Sequence, residues 1–321
     1  MPGSDVYFCV SIDVECDKGP RWLLRRPMSF RGVTEGVGQK LQPLFRRYGV
    51  RPTYLLSSEV IADGGAAAVF RSIAAECELG THLHGELTEP GAHDTPKTAE
   101  FQRDYPPAVE RAKLTTLTER FAATFEQAPV AFRAGRFGVG PASLGFLEEL
   151  GYAVDSSVTP GIDWAASGAP GLSFVGAPTQ PYHPDPREPA RVGRSRLLEV
   201  PVTTRQARPT KIDWIDALVR PLMKPRWLRP TWGTAQALIA LAQAEIAASR
   251  TRSATAPIVL NVMFHNVEVV PGTSPYASSQ AEADALLGRL ERLCAFAGEQ
   301  GFTMAALSEI PRLCSWPRQA A

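Results

Sequence analysis

Val6-Tyr7-Phe8-Cys9-Val10-Ser11-Ile12 runs straight into Asp13-Val14-Glu15. A nearly continuous apolar run is the mark of a strand buried on both faces of a parallel sheet. Here it stops on two carboxylates. The same strand-then-helix unit recurs downstream. A helix with Val37, Leu41, Leu44 and Phe45 on one stripe, closed near Gly49, leads to a strand at 51–56 and a helix at about 66–77. Glu78-Leu79-Gly80-Thr81-His82-Leu83-His84 reads as a third strand with two histidines at its C-terminal end. A helix at about 108–125 precedes a strand at 130–133, and a helix at 142–150 precedes a strand at 152–155. After an irregular stretch rich in Pro and Gly come strands at 197–202 and 257–264, a helix at about 280–300 and a last strand at 302–307. This alternation predicts one α/β domain over 1–321, with a mostly parallel sheet that is closed or nearly closed.

Composition narrows the function classes. The chain has 321 residues, with Lys plus Arg (34) nearly cancelling Asp plus Glu (33), so nothing in the global charge points to nucleic acid. Cys9, Cys16, Cys77, Cys294 and Cys314 are scattered and never form C-x-x-C, which argues against a disulfide framework and a cysteine zinc site. The first residues lack a basic segment followed by an apolar one, and no helical run is apolar enough to span a bilayer. The expected location is the cytoplasm, with peripheral membrane attachment open.

In α/β barrels the active site gathers at the C-terminal ends of the strands. Those ends here carry Asp13 with Glu15, His82 with His84, Arg133 with Arg136, and His265. Each has an ordinary structural reading: an Asp-x-Glu is often a helix cap, and a lone His or Arg is uninformative. His-x-His says more, because alternate strand residues face the same side. Together, two carboxylates and two imidazoles suit a divalent metal, zinc first, then cobalt, nickel or manganese. Other motifs fail. Gly138-Val139-Gly140-Pro141 is no dinucleotide fingerprint, the 140–145 stretch is one residue too long for a nucleophile elbow, and no Walker A sequence occurs.

The order Ser-Ile-Asp-Val-Glu, Pro-Thr-Tyr-Leu-Leu, Glu-Leu-Gly-Thr-His-Leu-His, Phe-Arg-Ala-Gly-Arg-Phe-Gly, Leu-Glu-Val-Pro-Val and Phe-His resembles the polysaccharide deacetylases with the NodB homology domain (carbohydrate esterase family 4). The stretches 147–160 and 271–276 resemble the WalW-like subgroup. The resemblance implies a distorted (β/α) barrel and hydrolysis of an N-acetyl or other N-acyl group from a sugar-containing substrate. It implies Asp13 as base, Arg133 orienting it, His265 as acid, and the backbone near Phe137, with Arg136, at the oxyanion. It further implies Glu15 and His82 as metal ligands. The family's second histidine falls four residues after the first, where this chain has Glu86; either His84, two residues on and favoured by strand geometry, completes the set, or Glu86 takes the place. The alternatives are another amide (a formamido sugar or an allantoinase-like ring) and an inactive carbohydrate-binding relative.

One stretch lies apart from this pattern. Between 205 and 232, Arg205, Arg208, Lys211, Arg220, Lys224, Arg226 and Arg229 face only Asp213 and Asp216, with Trp214, Trp227 and Trp232 interleaved. This inserted segment is expected to be a solvated basic loop or an element that brings the site to a membrane surface or to a lipid- or nucleotide-linked sugar. Arg21-Trp22-Leu23-Leu24-Arg25-Arg26 would extend the same surface.

Overall fold

The computed structural model describes residues 5–19, 21–92, 101–206, 225–313 and 315–319. At its centre is a parallel sheet built from β1 (Val6–Val14), β2 (Thr53–Leu56), β3 (Glu78–Leu83), β4 (Ala131–Ala134), β5 (Val154–Asp155), β6 (Leu198–Glu199), β7 (Ile258–His265) and β8 (Thr303–Met304). The strand order is β7-β1-β2-β3-β4-β5-β6, with β8 paired to the start of β1 at Tyr7 and Phe8. The sheet curls until its edges nearly meet. Thr203 N donates to Asn261 O (3.1 Å), Leu228 N to Thr203 O (2.8 Å) and Met263 N to Leu228 O (3.3 Å). The result is the distorted α/β barrel that the sequence predicts.

Alternation along β1 sorts its residues between two layers. Phe8, Val10, Ile12 and Val14 enter the main core beneath the outer helices, whereas Cys9 joins Leu55, Ala131, Val154, Leu198 and Val259 in a small apolar cluster. Above Cys9 on the same face, Ser11 donates to Asn261 Oδ1 (2.7 Å), and above that stands Asp13. The space between strands is narrow at Gly80, where a Cβ would lie 2.5 Å from Ala131 O and 2.8 Å from a Leu55 methyl. Only glycine lets β3 approach β4 there while carrying His82 on the same face.

The outer layer follows the predicted helices with small shifts. A wide π-type helix, Gly32–Leu41, continues as the α-helix Gln42–Tyr48 and ends at Gly49, whose φ of 63° is the left-handed cap that glycine allows. Helices Gly64–Ile73, Pro107–Phe125, Pro141–Glu149, Ala235–Arg252 and Gln280–Glu299 complete it. The strand expected over 197–202 is ladder-paired only at Leu198–Glu199. Pro201 has no N–H to donate, so the ladder cannot run through it. Residues 207–224 of the basic stretch, with Arg208, Lys211, Trp214, Arg220 and Lys224, lie outside the described residues, as does Cys314.

Candidate metal and active site

Strand alternation carries Asp13 and Glu15 from β1, and His82 and His84 from β3, to one end of the barrel. His84 lies just past the strand but stays extended (φ −99°, ψ 104°), so the alternation persists through it. His84 Nε2 is 3.1 Å from Glu15 Oε1 and 3.1 Å from His82 Nε2, and His82 Nε2 is 3.6 Å from Glu15 Oε1. His82 Nδ1 is 2.9 Å from the Arg133 carbonyl, which can only accept, so its proton sits on Nδ1 and Nε2 keeps a lone pair. Two buried imidazole nitrogens and a carboxylate oxygen thus converge, all within 4.8 Å of one another. That donor set fits a divalent cation with a position left open.

The local charge favours a cation here, and a bound metal would take the place of the proton His84 otherwise carries. Burial raises the Glu15 carboxyl, but His84 and Lys18 draw it well below the carboxylate range; Lys18 Nζ lies 3.0 Å from Glu15 Oε2. Burial lowers the His84 imidazole, yet Glu15 and Glu86 push it up to about 9. Glu86 is 3.3 Å from His84 Nδ1, on the side of the ring away from the cluster, and takes a hydrogen bond from Arg136 Nη2 (2.6 Å). The geometry therefore puts His84 among the candidate ligands and Glu86 behind it.

Asp13 stands beside this cluster under different constraints. Its Oδ1 accepts from Arg133 Nη1 at 2.6 Å, and its Oδ2 is 3.8 Å from His82 Nε2. Burial raises the Asp13 carboxyl; Arg133 first, then His82 and His265, lower it further than that. Asp13 is thus a carboxylate held ionised inside the protein.

His265 ends β7 in register with Asp13. Its Nε2 lies 3.9 Å from Asp13 Oδ2 and 3.8 Å from Glu15 Oε1. Its Nδ1 is 2.8 Å from Glu268 Oε1, which also accepts from the His265 backbone N–H at 3.1 Å and from Arg229 Nη2. Burial raises the Glu268 carboxyl, while Arg229, His265 and Thr231 pull it down to about 2. A carboxylate depressed by folding contributes stability above its unfolded pKa and loses it as pH falls. Glu268→Gln is therefore expected to cost up to ~3 kcal/mol at neutral pH. In unfolding curves, the gap between variant and parent should close as pH drops from about 4.5 towards 2. A constant gap over that range would contradict the assignment.

Aromatic groups wall the site. On the His265 side, Trp22 lies edge-on to His265 (5.0 Å) and against Tyr276 (5.4 Å), which meets Trp232 (5.5 Å). The Arg229 guanidinium lies over both the Trp232 and Tyr276 rings (4.7 and 5.3 Å). Arg229 is thus buried and paired rather than a surface cation of the basic stretch. Farther along the same wall, Phe137 stacks on Trp164 (5.4 Å) and packs on Trp227 (5.4 Å), with Arg133 5.9 Å from its ring. Arg136 and Phe137 both have positive φ (54° and 57°), a conformation that costs non-glycine residues about 1–3 kcal/mol each and clusters at functional sites.

Asp13, Glu15, His82, His84, Glu86, Arg133, Arg136, Phe137 and His265 therefore all fall at this end of the barrel. Sequence reasoning missed Glu268, Arg229 as its partner, Lys18 on Glu15, and the Trp22–Tyr276 wall. Glu268 had a readable signal, since an acid three residues past a strand-ending His can reach back to its N–H as in a capping box.

No protein-family model and no curated protein matches the sequence. Solved structures do resemble it. An inferred polysaccharide deacetylase from Mycobacterium smegmatis aligns with TM-score 0.57 and 18% identity over 100% of this chain and 96% of that one. A probable polysaccharide deacetylase from Pseudomonas aeruginosa aligns with TM-score 0.54 and 15% identity, over 96% and 90%. An allantoinase aligns with TM-score 0.57 and 14% identity, over 97% and 91%. At such identities the likeness establishes the fold.

Proposed function

We propose that this chain is a divalent-metal-dependent hydrolase that removes an N-acetyl or related N-acyl group from a sugar-containing substrate, in the manner of polysaccharide deacetylases. The observation that carries the reading is the meeting of Glu15 Oε1, His82 Nε2 and His84 Nε2 beside a charge-stabilised Asp13 and a carboxylate-backed His265. The motif resemblance, WalW-like stretches included, and the deacetylase fold support it. We place the protein in the cytoplasm, with Cys9, Cys16, Cys77 and Cys294 unpaired.

Glu15, His82 and His84 would hold the ion, zinc in first place. When bound, such an ion supplies Lewis acidity to the attacking water and to the amide carbonyl. Asp13, kept ionised by Arg133, takes the proton from the attacking water. The turned backbone at Phe137 offers an N–H to the developing oxyanion, and Arg136, through Glu86, holds the His84 ring in place. His265, with Glu268 on Nδ1, presents Nε2 to the departing amine and hands it a proton.

His82→Ala is expected to strip most of the metal from the purified protein, measured by elemental analysis, because three protein ligands are the minimum for such a site. Release of acetate from a simple N-acetyl amino sugar by the parent completes the test. Full metal occupancy in the variant would refute the ligand set. Metal binding without any hydrolysis would turn the reading towards a carbohydrate-binding relative.

A further inference from the structure

We propose that the rim of the site formed by Trp22, its neighbours Arg21 and Leu23, and Trp232 docks on a bilayer with anionic headgroups, so that substrate is drawn from a membrane surface. The substrate half of this statement rests on the hydrolase reading; the contact does not. The turn around Trp22 is tight: Trp22 N donates to Gly19 O (2.9 Å), Gly19 N donates to Leu23 O (2.9 Å), and Lys18 N is tied to Thr273 O (2.7 Å). Trp22 has a φ of 59°, which side chains rarely adopt, and its ring meets His265 and Tyr276. Its neighbours Arg21 and Leu23 are exposed, Leu23 at 37%. Through Tyr276 the turn joins Trp232, which is 52% exposed. Two segments far apart in sequence therefore make one rim that is continuous with His265.

The apolar surface is concentrated there. Five large hydrophobic side chains are exposed among the described residues: Leu23, Val175, Val192, Trp232 and Leu313. Leu23 and Trp232 belong to this rim, and Val175 lines with Trp232 the groove beside it, along with Ile162, Trp164 and Trp227. The charge around them is positive. Arg21, Arg25 and Arg26 are exposed, and no acidic residue occurs between Lys18 and Glu35. Arg226 is exposed on the groove, where Asp163 is the acid present, capping Ala165 N. An indole and a leucine among arginines match a bilayer interface, which offers hydrocarbon to the two apolar side chains and phosphate to the arginines. An acidic protein surface would offer only the charge.

The test sediments the full chain with vesicles of phosphatidylcholine alone or with phosphatidylglycerol added. Pelleting is expected only with the anionic vesicles at low salt, with release as salt rises. Arg21→Gln and Arg25→Gln should each weaken partitioning about fivefold, and Leu23→Asp should weaken it as well. All three variants should hydrolyse a small soluble N-acetyl sugar at the parent rate. No pelleting with anionic vesicles at low salt, or undiminished pelleting by the combined variant, would overturn the proposal. Vesicle binding by a chain without hydrolytic activity would defeat the proposed function and leave the contact standing.

Discussion

Asp13→Asn should lower turnover by ~10²–10⁴-fold while metal content stays at the parent level. The expectation rests on geometry that separates Asp13 from the ligand cluster. Its Oδ1 is committed to Arg133 at 2.6 Å, whereas the donor atoms that gather within 4.8 Å of one another belong to Glu15, His82 and His84. Asn keeps an acceptor for Arg133 Nη1 and nearly the same volume, so the change removes charge and basicity and little else. His265→Ala should fall in the same range, since it deletes the group facing the departing amine and leaves the three candidate ligands untouched. The paired measurement is steady-state hydrolysis alongside elemental analysis. Near-normal rates in both variants would exclude the acid–base pair. Metal loss in the Asp13 variant equal to that in His82→Ala would instead make Asp13 a ligand.

The sequence exposed this site because strand ends are readable one at a time. Apolar run and carboxylates at Asp13 and Glu15, alternation at His82 and His84, and arginine after a short strand at Arg133 each follow from local pattern. The barrel turns that list into a cluster. What stayed hidden depends on contacts across the chain. Alternation favours His84 over Glu86, but how far it runs was not readable, because the chain leaves its strand at Leu83 and enters a tight turn at Gly85. Arg229 reads as one more cation in a basic stretch until Glu268, buried at the end of β7, is seen to accept from it. Trp22 reads as part of an exposed basic patch, but its positive φ accompanies a ring packed on His265. Element ends slipped by one to four residues, as where the strand expected to reach residue 202 stops at Glu199 before Pro201. None of those slips moved a site residue off its strand end.

Arg133 should prove costly to replace. It is fully buried and spends its guanidinium on four partners: Asp13 Oδ1 (2.6 Å), Ser11 Oγ (2.7 Å), Ser156 O (2.7 Å) and Ser156 Oγ (2.8 Å). Ser11 and Ser156 are themselves bound to Asn261, so the arginine anchors a polar layer between the apolar floor of the barrel and the site. Close behind lie Asp155 and Glu199, register partners on β5 and β6; burial pushes both carboxyls up, with Arg133 opposing that in each. Arg133→Met keeps the length and removes the charge, which leaves the Asp13 carboxylate buried without its cation. Breaking a buried pair from one side costs about 3–5 kcal/mol, and chemical unfolding should register a loss of that size. The variant should be inactive even where it stays folded, because Asp13 without its guanidinium is pushed towards the neutral form by burial and cannot accept a proton. Arg133→Lys separates the two effects. It restores the charge but not the fork, so stability should recover in part while the orientation of Asp13, and with it turnover, does not. A destabilisation below ~1 kcal/mol in the Met variant would mean that water or another group reaches Asp13. The carboxylate would then be no buried base, and Arg133 no more than a packing residue.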